Sequence, residues 1–162
     1  MRQDDLYEQV TAELGAALDR LARSYEADAD KRRDLLQEIH FAIWRSLSTF
    51  GGDCSLRTWV YRVAHNVAAS HVLKQRRARP LVGLNEDLPE VVDVDGPLDR
   101  QRALGRLYEL IQKLEPLDRE VILLYLEDVD AASIGEITGI SAANVATKIH
   151  RIKKILASRS AQ

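Results

Sequence analysis

The chain has 162 residues, enough for one domain or two small ones, and its 46% hydrophobic and 30% charged content suits a globular protein. The net charge of −2 hides an uneven distribution, because residues 56–80 and 141–162 carry bases and no acid, whereas residues 81–100 carry six acids against one base. No stretch approaches the ~20 apolar residues of a membrane span, and the amino terminus lacks the apolar run of a signal peptide, so we expect a cytoplasmic protein with no membrane partner.

Three amphipathic helices are predicted in the first half of the chain. Apolar residues recur at three- and four-residue steps from Asp4 to Tyr25 and again from Lys31 to Leu47. Adjacent glycines at 51 and 52 end the second helix, and Ser55 is a suitable N-cap for a third, basic helix that runs up to Pro80. Because strand signals are nearly absent, the pattern predicts an all-α fold.

Residues 80–97 divide the chain into two helical units. This segment holds three of the four prolines and most of the acidic cluster, a composition typical of a flexible linker. Further helices are predicted over 98–114 and 117–126. We therefore expect an N-terminal domain over residues 1–79, the acidic linker, and a C-terminal domain over 98–162.

The C-terminal domain ends in the pattern of a helix-turn-helix. Two apolar-periodic stretches flank a turn at Gly139, and Ser141 is placed to cap the second of them. Ile134 and Ile137 on the first helix would cover the inward face of the second. That second helix separates an apolar inward face from an outer face whose amide and cations can read bases or phosphates in a major groove. The alternative is a solvated basic helix in a plain helical bundle.

The third helix combines cations with aromatic rings. Arg62, His65 and Asn66 lie away from its apolar stripe, with Trp59 and Tyr61 on the flanks. Such a surface suits single-stranded nucleic acid, because cations hold phosphates while rings stack on unpaired bases. Alternatively, the two rings are boundary residues of a helical core.

The second helix has a different outer surface, in which acidic and amide side chains stand beside Phe41 and Trp44. Exposed aromatic rings beside charges indicate a protein interface, whereas ordinary packing of one or both rings in the bundle is the alternative.

Nothing in the sequence indicates catalysis. The four histidines show no metal-ligand spacing with one another or with Cys54, and no glycine-rich phosphate loop or nucleophile motif is found. A single cysteine excludes an internal disulfide, which fits a reducing compartment. We therefore expect a binding protein with no cofactor, metal or catalytic residue.

Three segments in order resemble the extracytoplasmic-function (ECF) group of bacterial sigma factors. DLLQEIHFAIW (residues 34–44) resembles the polymerase-binding helix of the second conserved region of that family, and SLRTWVYRVAHNVAASHVLKQRR (55–77) resembles its melting and minus-ten helix. LEPLDREVILLYLEDVDAASIGEITGISAANVATKIHRIKKIL (114–156) resembles the fourth region, which reads the minus-thirty-five element. The resemblance covers roughly residues 5–79 and 98–157.

The resemblance implies a sigma factor that binds core RNA polymerase and directs promoter-specific initiation, with melting by the N-terminal domain. Its expected partners are core polymerase and promoter DNA, duplex and melted, and a regulatory partner that is either an anti-sigma factor or a kinase. A helix-turn-helix regulator that acts on duplex DNA without polymerase is the alternative function.

The resemblance also assigns residues to three surfaces. The polymerase-binding residues are Asp34, Leu35, Gln37, Glu38 and Phe41. The minus-ten and melting residues are Phe50, Asp53, Ser55, Arg57, Trp59, Tyr61, Arg62, His65, Asn66, Lys74, Arg76 and Arg77. The minus-thirty-five residues are Ser141, Asn144, Thr147, Lys148 and Arg151.

The chain departs from the family pattern in both domains. Bases at residues 31–33 stand where acids usually precede Asp34, which suggests the hypothesis that a phosphate on Ser46, Ser48 or Thr49 supplies the missing negative charge. In the helix-turn-helix, residues 130–133 lack the usual aromatic and acidic pattern, and Ala146 replaces a common base. Gly135 replaces the usual alanine, at an expected cost of about 0.5–1 kcal/mol to the helix.

Overall fold

The computed structural model describes residues 2–78 and 97–160, and every regular element within these ranges is helical. The N-terminal unit contains α1 (Gln3–Tyr25), α2 (Ala29–Ser46) with a 3-10 turn after it (Leu47–Thr49), and α3 (Leu56–Ala78). The C-terminal unit contains α4 (Pro97–Gln112), α5 (Pro116–Leu126), α6 (Ala131–Thr138) and α7 (Ala142–Ser160). The predicted all-α fold is confirmed.

The predicted bounds of the first five helices agree with the structure to within two residues at each end. The predicted linker lies outside the described residues, apart from Pro97, which begins α4. No helix among the described residues is both long enough and apolar enough to span a membrane.

Local caps explain where several helices begin. The Ser55 hydroxyl accepts a hydrogen bond from the Thr58 backbone N–H at 3.1 Å, and the Ser141 hydroxyl accepts one from that of Asn144 at 3.1 Å, as predicted. The Asp130 carboxylate does the same for α6, accepting from the Ser133 N–H at 2.8 Å. The unusual residues 130–133 therefore form an ordinary capped helix start.

The turn between α6 and α7 depends on two glycines. Gly139 takes the left-handed conformation (φ 85°) that lets the chain leave α6. A Cβ built on Gly135 would lie 2.7 Å from the backbone oxygen of Ile140, closer than real Cβ atoms approach. Gly135 thus has a packing role that helix propensity alone did not predict: it lets α6 pass directly against the start of α7.

The two helical units share a core. In the N-terminal unit α1, α2 and α3 bury aliphatic residues against one another, among them Leu18, Leu21, Ile39, Ile43 and Val60. The same apolar cluster continues into the C-terminal unit through Val121, Leu124, Ile134 and Ile137. A smaller cluster of Ile111, Leu114, Ile122 and Ile152 joins α4, α5 and α7. The sequence predicted two units but not that they pack together, with α4 and α5 against α1 and with α5 and α6 against α3.

Candidate nucleic-acid and polymerase-binding surfaces

Helix α7 has the two faces that its periodicity predicts. Val145 and Ile152 are fully buried, and Ile149 and Leu156 are half-buried against the two cores. Ser141, Asn144, Thr147 and Arg151 are exposed, and Lys148 is half-buried. An exposed row of amide, hydroxyl and cationic groups at the start of a capped helix has the composition that base reading in a major groove requires.

One acid holds both cations of this row. The Lys148 ammonium donates to Asp118 Oδ1 at 2.9 Å, and Arg151 Nη2 lies 3.6 Å from the same oxygen. Asp118 is in the first turn of α5, thirty residues before Lys148 in sequence, and no local signal predicts the contact. The carboxylate lowers the net positive charge of this face and fixes the two side chains on one flank of α7.

The predicted minus-ten surface is divided between two sides of α3. Trp59 and Asn66 are seven residues apart, so they lie two turns apart on one side, which is half-buried at Trp59 and exposed at Asn66. The Trp59 ring packs edge-on against Phe50 with centroids 5.3 Å apart, and its Nε1–H donates to the Ser46 hydroxyl at 3.0 Å. Asp53, Ser55, Arg57 and Lys74 are exposed.

The other side of α3 faces the protein instead of solvent. Tyr61 and His65 are each only 2% exposed, so the expectation that they stand beside separated strands is wrong for this arrangement. The Tyr25 hydroxyl lies 2.9 Å from His65 Nδ1 and also donates to the Pro116 carbonyl at 3.3 Å. Burial lowers the pKa of His65 from 6.5 to about 3, so the ring is neutral at physiological pH.

Three of the predicted minus-ten cations contact the C-terminal unit. Arg62 donates two hydrogen bonds to the Glu136 carbonyl, at 3.2 Å from Nε and 2.6 Å from Nη2. Arg57 donates to the Glu127 carbonyl at 3.3 Å, and Arg76 pairs with the Glu115 carboxylate at 2.6 Å. The side chain of Arg77 lies outside the described residues.

The predicted polymerase-binding face of α2 is mostly open. Asp34, Gln37 and Glu38 are exposed, Phe41 is 59% exposed and Trp44 38% exposed. Leu35 is 1% exposed and belongs to the core, so it does not stand on the open face with the other predicted polymerase-binding residues. Trp44 is oriented by α1, because its Nε1–H donates to Asp4 Oδ1 at 2.9 Å and its carbonyl accepts from Gln3 Nε2 at 2.6 Å.

The proposed phosphate sites do not lie near the basic run. Residues 31–33 occupy the first turns of α2, whereas Ser46 ends the same helix. Ser46 lies thirteen residues after Arg33, which corresponds to about 20 Å along a helix, or about two and a half Debye lengths at physiological salt. A phosphate on Ser46, Ser48 or Thr49 therefore cannot neutralise these bases, and this part of the hypothesis is wrong.

Sequence reasoning missed Arg119, a buried cation at the junction of the two units. Its guanidinium is 2% exposed and donates to the carbonyls of Leu114, at 2.7 Å, and of Gln112, with a longer contact of 3.5 Å to that of Tyr25. Burial lowers its pKa to about 10, which leaves it protonated at neutral pH. Arg119 stands three residues before the core residue Ile122, and this spacing was the signal in the sequence that its side chain lies on the buried side of the helix.

The fold and these surfaces define the class of protein, an all-helical DNA-binding protein. Comparisons with known proteins agree. The profile described as "Sigma-70 region 2" matches residues 11–78, and "Sigma-70, region 4" matches residues 104–156. The chain therefore belongs to the sigma-70 family of sigma factors, and its relatives place it in the ECF group.

Two relatives show the extent of the similarity. The chain is 29% identical over 121 residues to the RNA polymerase sigma-H factor of Pseudomonas aeruginosa, covering 74% of this chain and 62% of that protein. It is 28% identical over 141 residues to the ECF RNA polymerase sigma-E factor of Haemophilus influenzae, covering 78% of this chain and 72% of that one. The chain thus spans somewhat under two thirds of the length of sigma-H.

A solved structure shares the fold. CnrH in complex with the cytosolic domain of CnrY superposes with a TM-score of 0.68 at 24% identity, over 94% of this chain and 85% of that chain. The two profile matches and the ECF relatives confirm the predicted membership of the ECF sigma factors, and the alternative of a regulator without polymerase is not favoured. Sigma factors are promoter-specificity subunits and not catalytic enzymes.

Proposed function

We propose that this chain binds core RNA polymerase and directs transcription to particular promoters, with the N-terminal unit opening the minus-ten element and the C-terminal unit reading the minus-thirty-five element. The observation that carries the proposal is the pairing of a region 2 match and a region 4 match, in that order, on one helical chain. The polymerase makes the phosphodiester bonds, so the chain itself supplies promoter recognition and strand opening and needs no catalytic residue, metal or cofactor. A chain with this role would act in the cytoplasm.

The minus-thirty-five element would be read by the outer face of α7. Asn144 presents an amide that can pair with adenine in two hydrogen bonds, and Thr147 adds a hydroxyl and a methyl group. Lys148 and Arg151 would contact guanine or phosphate from the flank where Asp118 holds them. The Ser141-capped start of α7 offers free N–H groups to a backbone phosphate.

Strand opening would use the open side of α3. The Phe50–Trp59 ring pair, with Asp53 in the adjoining loop, provides an apolar surface for an unpaired base, and Asn66 and Lys74 lie exposed along the same helix. Stacking contributes about 1–3 kcal/mol per base, comparable with the few kcal/mol that flipping one base out of a duplex costs. Capture of one expelled base would therefore offset most of the cost of nucleating a melted region.

The polymerase would be held by α2. Phe41 is the most exposed large apolar residue among those described, and aromatic residues ringed by polar groups are the usual energetic centre of an interface. Asp34, Gln37 and Glu38 would give that interface a polar rim facing the clamp helices of the largest polymerase subunit. Since CnrH was solved with the cytosolic domain of CnrY, we also propose a protein regulator of the anti-sigma kind for this chain.

Run-off transcription with purified core polymerase tests the proposal. Adding the chain to a set of promoter fragments should stimulate specific transcripts, and no stimulation at any fragment would contradict the assignment. Lys148→Ala with Arg151→Ala should weaken binding to upstream duplex. Asn66→Ala with Lys74→Ala should instead reduce permanganate reactivity of the opened strand, as should Trp59→Ala, which also removes packing against Phe50.

A matched pair of substitutions controls for loss of charge. Arg100→Ala with Arg102→Ala removes two exposed cations of α4, which carries none of the proposed surfaces on α2, α3 and α7. This variant should leave duplex binding and strand opening unchanged. If the α7 and α3 variants impaired duplex binding and opening equally, the division of labour between the two units would be wrong.

A further inference from the structure

We propose that Asp118 is a specificity-determining residue of the helix-turn-helix, although it lies outside the helix that reads DNA. It holds Lys148 and Arg151 at one flank of α7, which weakens binding to unrelated duplex and keeps both cations oriented towards base edges. Asp118 acts through these two side chains, so it is a positioning residue. The proposal rests on the assignment of α7 to the minus-thirty-five element, and it names the residue that sets how strictly that element is read.

The partial neutralisation of α7 comes from another helix. Helix α7 is rich in bases and contains no acid of its own. Lys148 and Arg151 meet a carboxylate because α5 brings Asp118 to their flank. On the opposite side of α7, Lys153 donates instead to the neutral Tyr125 hydroxyl, at 3.3 Å, and keeps its full charge. Asp118 therefore neutralises the flank that is proposed to contact guanine or phosphate.

The ion pairs orient the two cations without using up their donors. Lys148 gives one of its three N–H groups to Asp118 Oδ1, at 2.9 Å. Arg151 Nη2 lies 3.6 Å from the same oxygen, which is longer than a hydrogen bond, so the guanidinium keeps its N–H groups for guanine O6 and N7. The side chain of Asp118 is 20% exposed and that of Arg151 58%, so the acid is shielded while the cation that it orients is open to a ligand.

A phosphate and a base edge make different demands on cations held in this way. A phosphate attracts a cation mainly by charge, and one carboxylate beside two cations halves the charge that they present together. A guanine edge attracts a cation mainly by direction, and a side chain that is already oriented loses less entropy on binding. Asp118 therefore weakens the contacts that any duplex offers more than it weakens those of the correct base pairs.

Such a bias matters for a protein that must find a few sites among many. Binding without sequence preference comes almost wholly from phosphate contacts. Because a genome offers about 10⁶–10⁹ competing sites, the ratio of specific to nonspecific affinity decides where the protein is found. A carboxylate that lowers the nonspecific affinity raises this ratio without making any contact to DNA.

Asp118→Asn tests the proposal, because it keeps the shape of the side chain and removes its charge. The full chain, without polymerase, is titrated with a fluorescein-labelled duplex of mixed sequence over a range of salt concentrations. The same chain also selects from a library of duplexes with a randomised central segment, and sequencing of the bound fraction measures how strict its preference is. We expect Asp118→Asn to bind the mixed-sequence duplex about 3–10-fold more tightly, with a salt slope steeper by about one. It should also select a more degenerate set of sequences than the wild type.

Two further variants separate positioning from net charge. Glu136→Gln removes an exposed carboxylate of the neighbouring helix α6 and makes the same change in net charge. Its affinity should stay within about twofold of the wild type, because charges on the surface are screened over a Debye length, and its selected sequences should be the same. In a chain that already carries Lys148→Ala and Arg151→Ala, Asp118→Asn should change neither measurement, since the cations through which it acts are gone.

The structural alternative is that the ion pairs do no more than join α5 to α7. Weaker binding of the mixed-sequence duplex by Asp118→Asn, with an unchanged preference, would establish that alternative and refute the proposal. Tighter binding with an unchanged preference, or the same gain in Glu136→Gln, would reduce the effect to net charge and refute it too. Circular dichroism measures helix content, and if Asp118→Asn loses helix, Asp118→Ser replaces it with the same expected direction.

The outcome is independent of the test of sigma activity. Specific transcription by the wild type, together with an unchanged selection by Asp118→Asn, would remove only the role of Asp118. The expected selection pattern without polymerase-dependent transcription would keep that role and remove the sigma function. A wild-type chain that selects no sequence at all would remove the role of Asp118 together with base reading by α7, whatever the result of transcription.

Discussion

At the scale of a single residue, the helix-turn-helix depends on the absence of a side chain at Gly135. Helix propensity alone predicts that alanine would be better here by about 1 kcal/mol. The structure opposes this, because a Cβ would stand 2.7 Å from the Ile140 carbonyl oxygen and 3.5 Å from the Ala142 backbone nitrogen. Both are backbone atoms of the turn, so relief requires the start of α7 to move.

We therefore expect Gly135→Ala to lower the free energy of unfolding by about 1 kcal/mol, since overpacking typically costs about 1–3 kcal/mol and outweighs the propensity gain. Gly15→Ala is the matched control, because Gly15 lies within α1 with no atom within 4 Å of its added Cβ. That variant should gain about 0.5–1 kcal/mol. Urea titrations followed by circular dichroism measure both, and a gain in stability at both positions would contradict the close approach.

At the scale of helices, the junction of α1, α3 and α5 contains two groups whose pKa shifts have opposite effects on how stability changes with pH. Burial lowers the pKa of His65 from 6.5 to about 3 and raises that of Glu120 from 4.5 to about 7. Between pH 6.5 and 3 the unfolded chain binds a proton at His65 that the folded chain does not, so stability falls as pH falls. Between pH 7 and 4.5 the folded chain holds a proton on Glu120 that the unfolded chain has lost, so stability rises as pH falls.

The two effects offset each other over the range in which they overlap, and Glu120→Gln removes one of them. We expect this variant to be more stable than wild type at pH 8, because no buried carboxylate has to ionise, and to lose stability more steeply on acidification to pH 5. The measurement is the urea midpoint as a function of pH. Glu109→Gln, at an exposed acid of α4, should keep the wild-type profile; a Glu120→Gln profile parallel to wild type would show that the two groups do not compensate.

The helices were predictable and the junction was not, for a physical reason. Helix bounds depend on local features, namely the spacing of apolar residues and caps such as Ser55 and Ser141. Residues close together in the sequence are enough to determine these features. The burial of Tyr61 and the pairing of Lys148 with Asp118 depend on segments far apart in the chain. An amphipathic pattern shows that Tyr61 lies at a boundary, but only tertiary packing decides which element covers it. The surface facing solvent on α7 was therefore found from sequence, and the covered side of α3 was not.

At the scale of the whole molecule, the two units should unfold together although each matches a separate conserved region. Their apolar residues form one cluster, with Leu18 and Ile39 of the N-terminal unit in the same core as Leu124 and Ile134 of the C-terminal unit. Separation would expose this shared surface and would release the buried guanidinium of Arg119 from the Tyr25 carbonyl. Two units that share a core in this way unfold together, because neither keeps its full stability without the other.

Differential scanning calorimetry should accordingly give a single transition for the wild-type chain, with a calorimetric enthalpy equal to the van't Hoff enthalpy. Arg20 of α1 forms an ion pair with the Glu127 carboxylate at 2.6 Å. In Arg20→Glu this link between the two units is lost while each helical core is untouched. The transition should therefore broaden, and the ratio of the calorimetric to the van't Hoff enthalpy should rise above one. Restoring the pair with Arg20→Glu and Glu127→Arg together should bring the ratio back, because the ion pair is re-formed with its ends exchanged. Two resolved transitions in the wild-type chain would mean that the shared core contributes little free energy, and that region 2 and region 4 are independent in the free protein.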